Sequence, residues 1–292
     1  MFIDCHVHVI AEPTCPRPDG KQPVSTPEVL LERYAELGIE KAVLLPTCSP
    51  DSCGLVQSND DILRIVKRYP DRFIPFCNVD PRGMRNTPTA EFRHILEYYR
   101  DKGCKGVGEV TANLPLDDPR VENLFRQVEA AGLALTFHLA VREGGVYGLI
   151  EEPGLKKLEK ALQKFPKLKF FGHSQTFWAE MAADLPEAER GRYPKGLIQE
   201  EGAVPRLMRK YPNLYGDLSA GSGWNALARD EEYAVKFLNE FQDRLMFGTD
   251  ICAPDTEVPH VEFLTRLKDS GRISESVFRK VARENIVKIL DL

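Results

Sequence analysis

Eight short, apolar, β-rich runs recur along the chain with helix-patterned stretches between them, and this alternation restricts the fold more than any other feature. The runs are Phe2–Val9, Glu40–Leu45, Phe73–Val79, Cys104–Val110, Leu133–Leu139, Leu168–His173, Leu214–Leu218 and Leu245–Thr249. Their starts fall about 30 to 45 residues apart, close to the length of one strand–loop–helix–loop unit. The intervening segments carry helix signals. Pro27 to Gly38, for example, has a Thr26 N-cap candidate, proline in the first turn and glycine at the end. Ser274 to Leu290 closes the chain with a patterned helix that sets Val277, Val281, Ile286, Ile289 and Leu290 on or near one face. Eight such units predict an α/β fold, a (β/α)8 TIM barrel formed as one domain over residues 1–292. A doubly wound sheet would want a glycine-rich turn after the first strand, where Val7-His8-Val9 stands instead.

Three connections exceed the usual few residues, and each follows a strand, on the face where barrels build their active sites. Residues 9–27 hold five prolines and make a stiff excursion. Residues 174–206 form the longest connection, with a helix expected around Trp178 to Ala183. Residues 219–230 contain Gly221-Ser222-Gly223-Trp224 and are expected to be loop.

Composition narrows the function classes. The chain is 42% hydrophobic and 28% charged, with a net charge of -5, which argues against a nucleic-acid or anionic-membrane binder. The seven cysteines are odd in number and contain no C-x-x-C pair, so a disulfide framework is not expected; only Cys48 and Cys53 are close enough to suggest a bridge or a metal pair. With neither a signal-peptide pattern nor a long apolar run, the expected location is cytoplasmic and the expected partner a small-molecule substrate. Homo-oligomers are compatible with the sequence.

The chemistry concentrates at strand ends. Of six histidines, His6 and His8 end the first run, His138 the fifth and His173 the sixth; Glu109 ends the fourth and Asp250 the eighth. Side chains two apart in a strand share a face, so His6 and His8 can reach one ion. Singly, each residue has a plainer reading: Glu109 as an ion-pair partner of Lys105, Asp250 as a helix cap. Together, four imidazoles and two carboxylates around one barrel mouth form the donor set of a divalent metal such as Zn2+. His94 and His260 are expected to be surface or packing residues.

At these residues the chain resembles the amidohydrolase superfamily, in particular its amidohydrolase-related (amidohydrolase-2) branch of metal-dependent barrel hydrolases. The motifs are Phe2-Ile3-Asp4-Cys5-His6-Val7-His8, Gly106-Val107-Gly108-Glu109-Val110, Thr136-Phe137-His138, Phe170-Phe171-Gly172-His173 and Met246-Phe247-Gly248-Thr249-Asp250. The resemblance implies that His6, His8 and Asp250 hold the more buried metal. His138 would join that metal or a second one. His173 would bind a second metal or act metal-free on the substrate, and Glu109 would bridge two ions, so one or two ions per chain are implied. It further implies hydrolysis of a C–N or C–O bond by metal-activated water, with Asp250 and His173 as catalytic groups. A non-oxidative decarboxylase of the same superfamily is the alternative, and a phosphoester hydrolase stands behind it. Arg142, Tyr147, Trp178 and Trp224, in loops after the fifth, sixth and seventh runs, are the candidates for binding a small carboxylated substrate.

Overall fold

The computed structural model describes residues 1–52 and 55–292. All eight apolar runs become strands: β1 Phe2–Val7, β2 Ile39–Leu44, β3 Phe73–Pro75, β4 Gly106–Val110, β5 Ala134–Ala140, β7 Phe170–His173, β8 Leu214–Asp217 and β9 Leu245–Met246. A two-residue strand, β6 Leu149–Ile150, pairs with the end of β5 outside this ring. Every strand pairing is parallel, in the orders β1-β2-β3 and β4-β5-β7-β8-β9. Two seams join these arcs. Between β3 and β4, Cys77 N–H donates to the Gly106 carbonyl and Gly108 N–H to the Cys77 carbonyl, both at 2.9 Å. Between β9 and β1, Cys5 N–H reaches the Phe247 carbonyl at 2.9 Å and Asp250 N–H the His6 carbonyl at 2.8 Å. The result is a closed TIM barrel.

Ile3, Cys5, Val43, Phe76, Phe171 and Met246 fill the barrel interior, and Ile286, Ile289 and Leu290 join the same cluster. The C-terminal helix therefore stoppers one end, where Lys105 Nζ and Lys169 Nζ donate to its last carbonyls, those of Asp291 and Ile289. Lys105 is thus at the opposite end from Glu109 and is not its ion-pair partner. This helix is interrupted: α-helical Glu275–Arg279 and Asn285–Leu290 flank a π turn, Lys280–Glu284. The wider turn frees the Val281 carbonyl to accept from Phe247 N–H at 2.9 Å, tying helix to barrel.

Two expectations for the long connections need correction. The helix after β7 is Gln175–Ala179, starting earlier than Trp178 because the Ser174 hydroxyl caps Phe177 N–H at 3.1 Å. The 219–230 segment is not loop but contains the helix Ala220–Ala228. Its Gly223 marks a close approach: a Cβ there would stand 2.2 Å from the Leu218 carbonyl oxygen. Among the described residues no helix is long and apolar enough to cross a membrane. The described cysteines are free; the pairing of Cys48 with Cys53 involves a residue outside the described range.

Candidate metal centre and the cavities above it

Strict alternation would not have delivered the two β1 histidines to the mouth. Ile3 and Cys5 point into the apolar interior, so the next residue should point out. The register to β2 resolves this: Asp4 pairs with Ala42 but Val7 with Leu44, three steps against two, a bulge that re-aims the strand end. His6 Nε2 and His8 Nε2 consequently meet at 3.1 Å.

Each imidazole has its other nitrogen tied to an acceptor. His8 Nδ1–H donates to the Leu45 carbonyl at 2.8 Å, and His6 Nδ1–H to Asp217 Oδ2 at 2.6 Å. Their Nε2 lone pairs therefore face one another. Asp250 Oδ1 lies 3.6 and 3.5 Å from these two atoms, and Glu109 Oε2 lies 3.9 and 3.7 Å from them. Four electron-pair donors thus converge on one point, an arrangement that favours a cation, a proton or a metal ion, at its centre. Metal–ligand bonds of about 2.0–2.1 Å in a tetrahedron put neighbouring donors roughly 3.3 Å apart, near the spacing here. The residues present fit a divalent ion. Burial alone would lower the His6 pKa, but Asp217, Asp250 and Glu109 outweigh it and push it up to about 10, a proton serving where a metal would.

The remaining oxygens turn the other way. Glu109 Oε1 is 2.8 Å from His138 Nδ1 and 3.7 Å from His173 Nε2, while Asp250 Oδ2 is 3.8 Å from His173 Nε2. Both carboxylates thus span from the β1 pair to the β5 and β7 imidazoles. Gly108 makes room for this: its φ is +146°, and a Cβ would lie 2.7 Å from the Thr136 carbonyl oxygen. Despite burial, the imidazoles of His138, His8 and His6 hold the Glu109 carboxyl well below the usual carboxylate range. For His173, burial and then the nearby His6 lower the pKa, so it stays neutral, with Nδ1 3.0 Å from Ser219 Oγ. Ser174, Ala220 and Asp250, following β7, β8 and β9 at this mouth, all have positive φ without being glycine, backbone strain of the kind that collects at functional sites.

Asp217 is the residue that sequence reasoning missed. It ends β8 as Glu109 ends β4, and that placement was the available signal. It is fully buried, accepts from His6 Nδ1–H, Ser219 N–H and the Cys5 thiol, and so fixes the tautomer of His6. Replacing Asp217 with asparagine is expected to weaken zinc binding by about 10- to 100-fold, measured by competition with a chelator, without removing a ligand.

Among the predicted specificity residues the structure divides the four. Tyr147 and Asp250 line a cavity of about 620 Å3 together with His8, Glu109 and prolines of the 9–27 loop. Tyr147 also lines a neighbouring cavity of about 710 Å3 with Arg142 and His138, its ring 4.5 Å from that of His138. Trp178, by contrast, is 2% exposed; its indole N–H donates to the Asp217 carbonyl and its ring packs on Phe177 and Phe237, so it supports the strand end and lines neither cavity. Trp224 packs on Phe263 and His260 from the helix Ala220–Ala228 and is absent from the walls of both cavities. His260 is buried in packing and His94 is exposed, as expected.

Comparison with known proteins places this geometry. A family model described as amidohydrolase matches residues 3–292. No curated protein matches. Among solved structures, an uncharacterised TIM-barrel protein from Bordetella bronchiseptica superposes with a TM-score of 0.66 at 20% identity, over 99% of this chain and 98% of that one. A 5-carboxyvanillate decarboxylase from Novosphingobium aromaticivorans, complexed with manganese and a nitrobenzoic acid, gives 0.60 at 17% identity over 100% and 96%. A probable 2-pyrone-4,6-dicarboxylic acid hydrolase from Acinetobacter baumannii, with citric acid bound, gives 0.56 at 15% identity over 100% and 99%. At these identities the likeness is one of fold.

Proposed function

The chain belongs to the amidohydrolase family, and from that premise we propose that it is a metal-dependent hydrolase cleaving a C–N or C–O bond of a small substrate such as a cyclic amide, lactone or ester. The observation that carries this reading is the split orientation of Glu109, whose Oε2 faces His6 and His8 and whose Oε1 faces His138 and His173. A carboxylate so placed suits a bridge between two ions, the arrangement that serves water activation. His6, His8 and Asp250 would hold one ion and His138 and His173 the other, with Glu109 shared. Zinc and manganese both suit these donors. Bound there, such an ion lowers the pKa of water from 15.7 to about 7 and polarises the carbonyl that is attacked.

The chain's own groups manage the proton and the charge. Asp250, half facing the cavity, accepts the proton that water loses as its oxygen bonds to the carbonyl carbon. It returns that proton to the nitrogen or oxygen that leaves as the old bond breaks. His173, with Nδ1 3.0 Å from Ser219 Oγ, directs Nε2 toward the same centre, where it would help to hold the ion that offsets the negative charge growing on the attacked oxygen. Tyr147 lines the same cavity; desolvation, with the charges of Glu109 and Asp250, raises its pKa, which keeps the phenol a hydrogen-bond donor.

Decarboxylation is the second reading. His6, His8 and Asp250 already form a sufficient donor group for one ion without Glu109, and a fold neighbour is a decarboxylase holding manganese. Metal analysis separates the two. The hydrolase is expected to carry about two equivalents per chain, falling to about one in Glu109→Gln, and to turn over lactones or cyclic amides. A single equivalent untouched by Glu109→Gln, with carbon dioxide released from carboxylated aromatics, sinks the hydrolase reading.

A further inference from the structure

The cavity beside His138 holds charges that the reacting centre does not use. Tyr147 lines both this cavity and the one over Asp250, so the two adjoin at that ring. Arg142 and Arg192 both line it. Neither guanidinium has a hydrogen-bond or ion-pair partner among the described residues. That is uncommon in this chain, where Arg17, Arg82, Arg120, Arg206 and Arg209 all pair with acids. Glu187 lies in the same wall and pairs with neither.

The arginine-bearing segments are also held in place. Asn113 binds the loop after β5 at three points: its Nδ2 donates to the carbonyls of Arg142 and Gly148 at 3.1 and 3.2 Å, and its Oδ1 accepts from Gly144 N–H at 2.7 Å. Asn113 is itself fixed by Asp51, which accepts from its N–H at 3.0 Å and pairs with Arg82. Gly191 stands directly against Val141, since a Cβ on it would lie 3.3 Å from a Val141 methyl, so the stretches preceding Arg142 and Arg192 run side by side. Gln175 anchors the far stretch through Tyr193 Oη at 3.0 Å. Two free planar forks on a braced concave wall are suited to a carboxylate, which each can grip through paired N–H donors.

We propose that Arg142 and Arg192 form a receptor for a carboxylate at the far end of the substrate, remote from the bond that is broken. The inference rests on the reading that the reacting group sits at Asp250, and it deepens that reading: the substrate is an extended acid reaching across Tyr147, and its anionic end stays unchanged in the reaction. Arg192 is then a specificity residue alongside Arg142.

The test is calorimetric titration of the zinc-loaded protein with glutarate, adipate, pimelate and suberate, each against the monocarboxylate of equal length. At least one dicarboxylate is expected to bind about tenfold or more tightly than its partner, a gap of about 1.4 kcal/mol. In Arg142→Gln and Arg192→Gln that ratio falls toward one, whereas Arg142→Lys and Arg192→Lys, which keep the charge but lose the fork, retain part of it. Both side chains are exposed, so unchanged melting temperatures are expected to accompany the loss. A wild-type ratio near one for every pair, or a ratio that neither glutamine variant alters, overturns the proposal. Failure of the hydrolase reading shows elsewhere, as absent lactone or amide turnover, and leaves this ratio as it was.

Discussion

Asp250→Asn is expected to reduce kcat by roughly a thousandfold while the protein stays folded, the scale of loss when a positioned proton acceptor is removed. Three acids surround the imidazoles, but their access differs. The Asp250 side chain is 25% exposed, against 8% for Glu109 and 1% for Asp217, so Asp250 is the best placed of the three to trade a proton with a molecule in the cavity. Its two oxygens stand 3.5 Å from His8 Nε2 and 3.8 Å from His173 Nε2, bordering both halves of the cup. Asparagine matches the shape and tolerates the left-handed backbone that Asp250 adopts at φ +53°. It cannot, however, take up a proton. Turnover in a variant with unchanged melting temperature is the measurement, made with the metal content of each sample determined. Retention of more than a tenth of the activity at full metal occupancy would remove Asp250 from the proton path.

The largest effect on stability is expected from Asp4→Ala, about 4 kcal/mol, at the upper end of what one substitution costs. Asp4 is wholly buried, and its carboxylate accepts four hydrogen bonds: from the hydroxyls of Tyr34 and Thr249, both at 2.5 Å, and from the N–H groups of His6 and Thr249, both at 2.9 Å. Those donors come from the first helix, from β1 itself and from the segment after β9, so one side chain pins the seam where the barrel closes. Alanine would strand all four in a fully buried site, and each unsatisfied buried donor costs about 1–3 kcal/mol, less than additively when neighbours relax together. For a chain of this size each kcal/mol is worth roughly 2–4 °C in Tm, so a fall of about 10 °C is expected by calorimetry. Asp4→Asn, which keeps one acceptor oxygen, should fall between. A loss below 1 kcal/mol in Asp4→Ala would show that the seam is held by its backbone bonds alone.

The placement of the candidate site's residues is legible in the sequence. His6, His8, Glu109, His138, His173 and Asp250 all border one cup because each stands at the end of a strand and the strands run parallel into a ring. The errors have a common origin. Trp178 and Trp224 were placed correctly along the chain, yet the short helices that carry them turn both rings into packing. Asp217 occupied a strand end like the other acids, but its role depends on His6 presenting Nδ1 to it, a contact spanning 211 positions. Arg192 lies in a stretch without periodicity, and the approach of Gly191 to Val141 brings that stretch against the one that carries Arg142.

The division between the two kinds of information is physical. Alternation of apolar residues, capping signals and the location of strand ends are properties of a few neighbouring residues, so the amino-acid order alone determined the eight units, their parallel ring and the residue types gathered at its mouth. Which way those residues face was decided by long-range closure. The bulge between Asp4 and Val7 exists only because β1 must register with β2 while its other edge bonds to the segment after β9. Without that tertiary constraint, the period of two that makes His6 and His8 neighbours would have continued from Ile3 and Cys5 and turned both imidazoles out of the barrel.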